Sequence, residues 1–510
     1  MRKTTVEKMV CMIAIFFAAT ALAGQAQTFT TLHSFNVSDG YSPYYGTLAQ
    51  GTDGNLYGTT TFGGVNGDAG ADGTVFRITP QGNLTTLYNF CAQTNNGVCV
   101  DGQSPEAGVI QAANGKFYGT TSYGGNLSGV GGCIWAGCGT VFEITPGGNL
   151  TTVYDFCSQT NCADGATPLA AGLVQASNGG IYGATPLYAD TNGAVNGGTI
   201  FSVTPAGAQS TLFNFCYKAP CPVGITPNTM VQAPNGALYG TTQGGGAYKT
   251  GTFFVIAPDG KFATLHSFNG TSEGGGVNAP ILASDGNFYG TTSGGGANGR
   301  GTVYRTTPAG VVTTLYSFCP QSGCWDGQFP TAPLVQGSDG NFYGVASGGD
   351  SAYCNIGADG CGVIFEITPV GQFTKLYDIC SQKDCTDGAD PHAGLTQGTD
   401  GSFYGTTTYG GSFNATCPNG CGVVFRISTG LGPFVKSNPS FSKVGSRINI
   451  LGNGLKGATS VTFNGTSATF QVISGTYIKA EVPSGATTGT IQVTTPGGTL
   501  NSNVAFQVVP

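Results

Sequence analysis

Lys116-Phe-Tyr-Gly-Thr-Thr-Ser122, Gly139-Thr-Val-Phe-Glu-Ile-Thr145 and Leu150-Thr-Thr-Val-Tyr-Asp-Phe156 make up one phrase of this chain. Ahead of it, Gly108 to Ala112 runs into Asn114-Gly115, a pair that favours a tight type I′ hairpin. Pro146-Gly147-Gly148 supplies the turn between the last two segments. Four short strands joined by hairpins, with a glycine-rich insert between the second and third, predict the blade of a β-propeller. The phrase returns along the chain. Its Tyr-Gly anchors are Tyr57, Tyr118, Tyr182, Tyr239, Tyr289, Tyr343 and Tyr404, spaced 61, 64, 57, 50, 54 and 61 residues apart. A unit of that size cannot bury its own hydrophobic face and must stack on neighbours.

The third strand alternates as a half-buried strand should. Phe142 and Ile144 recur as Phe76/Ile78, Phe201/Val203, Phe254/Ile256, Phe365/Ile367 and Phe425/Ile427, while Glu143 between them becomes Arg77, Ser202, Val255, Glu366 and Arg426. These aromatics are read as core between blades rather than as ligand contacts. The seventh unit ends at Arg426-Ile427-Ser428 without a fourth strand, and the matching strand, Thr30 to Phe35, precedes the first Tyr-Gly. The expectation is therefore a seven-bladed propeller closed by its N-terminal strand, because closure removes both raw sheet edges. In such blades the hairpins between strands one and two and between three and four are tight and share one face. The long connections share the other.

Charged residues make up 8% of the chain against about 25% in an average protein. With 87 glycines and a net charge of −7, this composition disfavours long helices and argues against nucleic acid or anionic membrane as partner. Met1-Arg2-Lys3, the apolar run Met9 to Leu22 and Ala21-Leu22-Ala23 predict a signal peptide over 1–26, cleaved after Ala23 or Ala26. No other stretch approaches the length of a membrane span. The expected location is secreted, cell-surface or periplasmic. Beyond Cys11, sixteen cysteines fall into close pairs: Cys91/Cys99, Cys133/Cys138, Cys157/Cys162, Cys216/Cys221, Cys319/Cys324, Cys354/Cys361, Cys380/Cys385 and Cys417/Cys421. In an exported chain these predict eight short-range disulfides. Zinc is the competing reading, but the spacings are not of the C-x₂-C type and the chain has three histidines.

From Phe434 the vocabulary changes. Val461-Thr-Phe-Asn-Gly465, Val482-Pro-Ser-Gly-Ala-Thr-Thr-Gly489 and Thr495-Pro-Gly-Gly-Thr499 punctuate alternating strands, which predicts a small β-sandwich over 434–510 after a propeller over 27–430. These phrases resemble the IPT/TIG family of immunoglobulin-like domains, which implies an accessory or spacer role. The repeats from Thr30 to Thr429, through Tyr-Gly-Thr-Thr and Gly-Thr-Val-Phe, resemble the GloVer tandem repeats of bacterial secreted proteins. That resemblance transfers no functional residue. The final Gln507-Val-Val-Pro510 lacks an apolar tail and basic stop, so anchoring of that kind is not expected.

Chemistry is sparse. His33 and His266 stand where other units have Tyr88, Tyr154 and Tyr316, and are read as structural. His392, in Asp390-Pro391-His392, is the one candidate base. Asp39, Asp101, Asp164, Asp326 and Asp387 recur in an Asp-Gly-x-x-Pro phrase, missing where Val223 and Gly274 stand. A turn-forming role is preferred for them. A ring of loop carboxylates could also take calcium or a glycan, but no metal or cofactor is assigned. Trp135 and Trp325 sit in cysteine-stapled loops and are either sugar-stacking platforms or lids on their own disulfides. Trp135, Trp325, Asp326, Asp387 and His392 are accordingly the candidate binding residues, and no catalytic set is named. The preferred function is non-enzymatic recognition of carbohydrate or an extracellular protein by the looped face. The alternatives are a carbohydrate-active hydrolase or lyase using loop carboxylates, and a purely structural surface protein.

Overall fold

The computed structural model describes residues 27–509 apart from 67–71, 126–136, 169–171, 187, 190–194, 217–219, 322, 350–353 and 355–360. The signal-peptide residues, Cys133 and Trp135 thus lie outside the described residues. The fold is all-β and propeller-like, built from antiparallel sheets. None of the helices among the described residues is long and apolar enough to cross a membrane.

The second unit shows the local logic. Strands Ile110–Gln111, Phe117–Thr121, Thr140–Ile144 and Leu150–Asp155 pair in sequence order. The hairpin at Asn114-Gly115 departs from the type I′ expectation. Gly115 alone takes a positive φ, 84°, and the loop closes by Gly115 N–H to Ala112 O at 2.9 Å and Ala112 N–H to Lys116 O at 2.9 Å. This is the three-residue form with a left-handed glycine after the turn. It leaves the Asn114 side chain free to cap: Oδ1 accepts the Lys116 N–H at 3.0 Å and Nδ2 donates to the Tyr118 hydroxyl at 2.9 Å. Asp53, Asp285, Asp339 and Asp400 instead accept from the hydroxyls of Tyr57, Tyr289, Tyr343 and Tyr404.

The glycine after each anchor tyrosine is required by space. A Cβ on Gly119 would lie 2.5 Å from Phe142 Cζ, and one on Gly344 would lie 2.6 Å from Phe365 Cζ. The third-strand phenylalanine lies across the second strand of its own sheet, and only glycine lets it down. The anchor tyrosine faces the next sheet, as in the stacks Tyr57–Phe117 at 3.9 Å and Tyr289–Phe342 at 4.0 Å. Ring-on-ring burial of this kind adds about 0.5–1.5 kcal/mol per pair beyond area alone.

Among the described residues, seven sheets of four or five strands follow this plan. Strand Thr28–Ser34 pairs antiparallel with Val423–Ser428, from Thr28↔Ser428 to Ser34↔Val423, in the sheet that also holds Phe403–Thr407. Successive sheets are tied at their innermost strands by glutamines. Thr52 N–H donates to Gln111 Oε1, Ala113 to Gln175 and Ser177 to Gln232, each at 2.8 Å. Ser284 donates to Gln336 at 2.9 Å, Ser338 to Gln397 at 3.0 Å and Thr399 to Gln50 at 3.1 Å. At the remaining junction the donor position is Pro234, which has no N–H, and the acceptor position is Leu282.

C-terminal to the repeats, the sheet containing Arg447–Leu451 and Tyr477–Glu481 faces the sheet containing Ser460–Phe463 and Ile491–Thr495. Ile448, Ile450 and Ile478 from the first meet Val461, Phe463 and Val493 from the second in one core. This body sits on the tight-hairpin face of the repeats. Thr476 Oγ1 donates to Thr52 O at 2.8 Å, and Asn438 Nδ2 donates to Gln111 O at 3.2 Å.

Gly344→Ala is expected to cost about 1–3 kcal/mol through overpacking against Phe365. Combining it with Phe365→Leu should cost less than the sum of the two single changes, because the two sites share one space. Denaturant melts of the four proteins measure this coupling, and strict additivity would contradict the close approach.

Candidate functional site

The Asp-Gly-x-x-Pro carboxylates turn inward. Asp326 and Asp387 are fully buried. Asp326 accepts the Tyr316 hydroxyl at 2.7 Å and the Cys319 N–H at 3.0 Å, and Asp387 accepts Tyr377 at 2.8 Å and the Ser381 N–H at 2.9 Å. Asp101 with Tyr88 and Asp164 with Tyr154 repeat the arrangement at 2.7 Å. Where the hydroxyl is replaced by imidazole the clasp persists: His33 Nε2 lies 2.9 Å from Asp39 Oδ2, and His266 Nε2 lies 3.0 Å from Glu273 Oε2. The two histidines are thus structural stand-ins, and Glu273 supplies the acid one residue before Gly274. Asp326 and Asp387, expected as binding residues, are instead consumed in holding their own loops. A carboxylate saturated by tyrosine and backbone donors has little left for a cation or sugar.

Disulfides join Cys91–Cys99, Cys157–Cys162, Cys319–Cys324, Cys354–Cys361, Cys380–Cys385 and Cys417–Cys421. Cys138 is also disulfide-bonded. The expected Cys216–Cys221 bridge is not formed. Its unit has Phe213 and Val223 where the others have the clasp's donor and acid, and these two pack in an apolar cluster. Without the clasp, Cys216 does not enter the left-handed turn that Cys91, Cys157, Cys319 and Cys380 adopt at φ 59–63°. Burial pushes the Cys216 thiol up to about 12, with Cys221 adding to the shift. Trp325, 37% exposed, lies with Lys375 Nζ 5.7 Å above its ring and with its edge toward Phe373. It packs on the outer strand of the next sheet and does not line the central cavity.

His392 does. A cavity of about 690 Å³ runs along the innermost strands of the repeats. At the tight-hairpin end it is walled by Lys436 to Phe441, Leu451 and Val504 of the C-terminal body. A spacer would have extended away from that end, whereas the C-terminal body adds a wall to it. At the long-loop end lies His392, with Nε2 3.1 Å from Asp390 Oδ2 and Nδ1 3.0 Å from Thr331 Oγ1. The Tyr44 and Tyr45 rings stand 4.7 and 5.8 Å from the imidazole. Burial raises the phenols of both tyrosines, and the charges of Asp390 and Glu106 add to the effect. Burial also raises the Glu106 carboxyl. Around His392, which lines the cavity with Tyr45 and Thr331, the structure therefore gathers neutral phenol donors, carboxyl acceptors and rings in tilted and edge-on contact.

Tyr44, Tyr45, Thr331 and Glu106 were not among the candidates read from sequence. For Tyr44, Glu106 and Thr331 the signal lies one residue past the proline of the repeated phrase, where Tyr44, Glu106, Asn228, Thr331 and His392 follow Pro43, Pro105, Pro227, Pro330 and Pro391. Within an otherwise repetitive unit these five residues all differ. Asn228, Asn278, Thr331 and His392 line the cavity.

A repetitive, disulfide-stapled all-β protein with a deep axial cavity is the class that fold and site define. The chain belongs to the Gloeobacter/Verrucomicrobia repeat family, whose profile matches residues 16–223, 187–356 and 226–478. No curated protein matches it. Among solved structures it is similar to the extracellular domain assigned to a hybrid two-component system of B. thetaiotaomicron, at 10% identity and TM-score 0.47. That match covers 96% of this chain and 60% of the other, less than two thirds of its length. A gluconolactonase from Xanthomonas campestris matches at 11% identity, covering 57% and 78% of the two chains with TM-score 0.33. A puromycin hydrolase variant matches at 13% identity, covering 73% and 52% with TM-score 0.43.

The raised Glu106 carboxyl gives a pH prediction. Its folded pKa lies above the ordinary 4.5, so the folded state holds the proton more tightly and stability falls as pH rises past that value. Glu106→Gln should melt above the wild type at pH 7, and the gap should vanish below about pH 4.5. Thermal melts across pH 4–8 check this, and a gap independent of pH would count against burial as the cause.

Proposed function

We propose that the mature chain is an exported, non-enzymatic recognition protein that binds carbohydrate in the long-loop mouth of its central cavity. The observation that carries this reading is the rim itself: Tyr44, Tyr45 and His392 in mutual ring contact, flanked by Asp390 and Glu106. A cluster of aromatic rings beside hydrogen-bonding acids matches the two faces of a sugar, apolar C–H and polar O–H. Short disulfides that order the surrounding loops reduce the entropy lost on binding and fit an extracellular setting.

The architecture that supports the mouth is read as a seven-bladed propeller over 27–430, closed by its N-terminal strand, with an immunoglobulin-like IPT/TIG domain over 434–510. The pairing of Thr28–Ser34 with Val423–Ser428 and the bond from Thr399 to Gln50 support closure. A signal peptide over 1–26 would deliver the chain to the oxidising side of the membrane. The second reading is an enzyme. It is favoured by the Thr331–His392–Asp390 array, which has a hydroxyl, a base and an orienting acid within hydrogen-bond reach.

A glycan array run beside hydrolase and lyase screens on the mature protein separates the two. Saturable binding without turnover is expected, weakened at least tenfold, about 1.4 kcal/mol, by Tyr44→Ala or His392→Ala. Trp325→Ala should bind as the wild type does. Turnover abolished by His392→Ala would favour the enzyme, and silence in every assay would sink both.

Deleting residues 27–36 tests closure separately. It should expose two sheet edges and cause aggregation or a large fall in melting temperature. An unchanged melting temperature would rule the closure out.

A further inference from the structure

Lys436 stands out as a charged group without an internal partner. It begins the strand Lys436–Asn438, lines the tight-hairpin end of the cavity, and its side chain has no hydrogen bond or ion pair among the described residues. It is also the one Lys, Arg, Asp or Glu among the residues lining that cavity. Gln111 and Asn438 are already engaged, whereas Ser437 Oγ and Asn503 Oδ1 on the same stretch of wall are buried without a hydrogen-bond partner among the described residues. Gln111 Oε1 accepts from Thr52 and its Nε2 donates to Gly115 O at 3.0 Å. Asn438 Nδ2 is held by the Gln111 carbonyl.

Taking an ammonium out of bulk water without a counter-charge is unfavourable, and burial lowers the Lys436 pKa accordingly. A chain with charges at only 8% of its positions has placed one in the wall of this cavity. An apolar residue would serve better if that wall only needed filling.

We infer that Lys436 is the anion-binding residue of the central cavity, and that the ligand is a saccharide bearing a carboxylate, its acid group at the tight-hairpin end and its hydroxyls toward the mouth. This deepens the carbohydrate reading above and rests on it. A volume of about 690 Å³ is in the range of small-molecule sites. One lysine, with no arginine and no second cation on the wall, matches a single negative charge better than a phosphate, which is usually met by several donors or an arginine fork. Between the two ends, the wall alternates aliphatic residues such as Ile110 and Val231 with amides such as Asn228 and Asn278. That mixture suits a sugar ring more than a fatty acid.

The test uses the mature full chain with digalacturonate and its neutral methyl ester as probes, by calorimetric titration near pH 6.5. Wild type should bind the acid at least tenfold more tightly than the ester. Lys436→Arg should keep the preference, and Lys436→Met should bind both forms alike. Without sugar, Lys436→Met should melt at or above the wild-type temperature, because it removes a charge that no protein group compensates. Equal affinity of the wild type for acid and ester, or an acid preference that survives in Lys436→Met, would overturn the inference while leaving carbohydrate recognition standing. A marked fall in the Met variant's melting temperature would also overturn it, by showing that the ammonium serves the fold. If neither probe binds, the acidic-saccharide ligand is refuted, and the neutral glycans of the array then decide the broader reading.

Discussion

The glutamine that reaches from the innermost strand of one sheet to the backbone of the sheet before it fixes the bore of the molecule. Each such bond adds only about 0.5–1.5 kcal/mol net. With the donors at Ala113, Ser177 and Ser284 exposed and the others part-buried, the links act through their repetition and the register they set from sheet to sheet. Pro234 opposite Leu282 is the exception that shows the rule. With no N–H to satisfy, the acceptor is replaced by an aliphatic side chain, and removing both partners together is nearly free. Six bonds link the innermost strands from sheet to sheet, and the cavity is the space those strands leave.

Outside that ring the protein divides its scarce charges between two tasks. The acids of the Asp-Gly-x-x-Pro phrase are buried under tyrosine hydroxyls or histidine rings and hold the long loops in place. The disulfides follow the clasp: where Phe213 and Val223 replace it, Cys216 and Cys221 remain thiols. Loop order therefore comes from the buried carboxylate at least as much as from the sulfur. Asp390, Glu106 and Lys436 are not used in this way. Lys436 lines the cavity, Asp390 pairs with His392 of its wall, and Glu106 acts on the Tyr44 and Tyr45 phenols through its charge.

The C-terminal body changes what the cavity can be. A channel lined only by the repeats would be walled by their innermost strands alone, whereas here Lys436 to Phe441 add a wall at the tight-hairpin end. Contacts such as Thr476 to Thr52 seat that wall on the tight hairpins. The variable loops are thereby left free at the other end, where a ligand can enter.

The sequence alone determined the strands, the unit and the direction of each face, because these depend on short-range rules. Alternation places Phe142 and Ile144 inward, Tyr-Gly marks where a phenylalanine must lie over the chain, and the displaced Thr30 to Phe35 strand has one unit that lacks it. It also showed that His33 and His266 replace tyrosines, since their place in the phrase is unambiguous. Tertiary structure decided which acids are used up and which are offered. Asp326 read as a loop carboxylate that a ligand could use, and only packing shows it sealed under Tyr316 while Asp390 stands beside His392. Trp325 read as either a platform or a lid on its own disulfide, and it lies against the outer strand of the next sheet. The mouth joins residues as far apart in sequence as Tyr44 and His392, and the C-terminal body brings Lys436 to the tight-hairpin end of the cavity. No local pattern encodes those meetings, because they are set by how each sheet packs on the next, accumulated over many units.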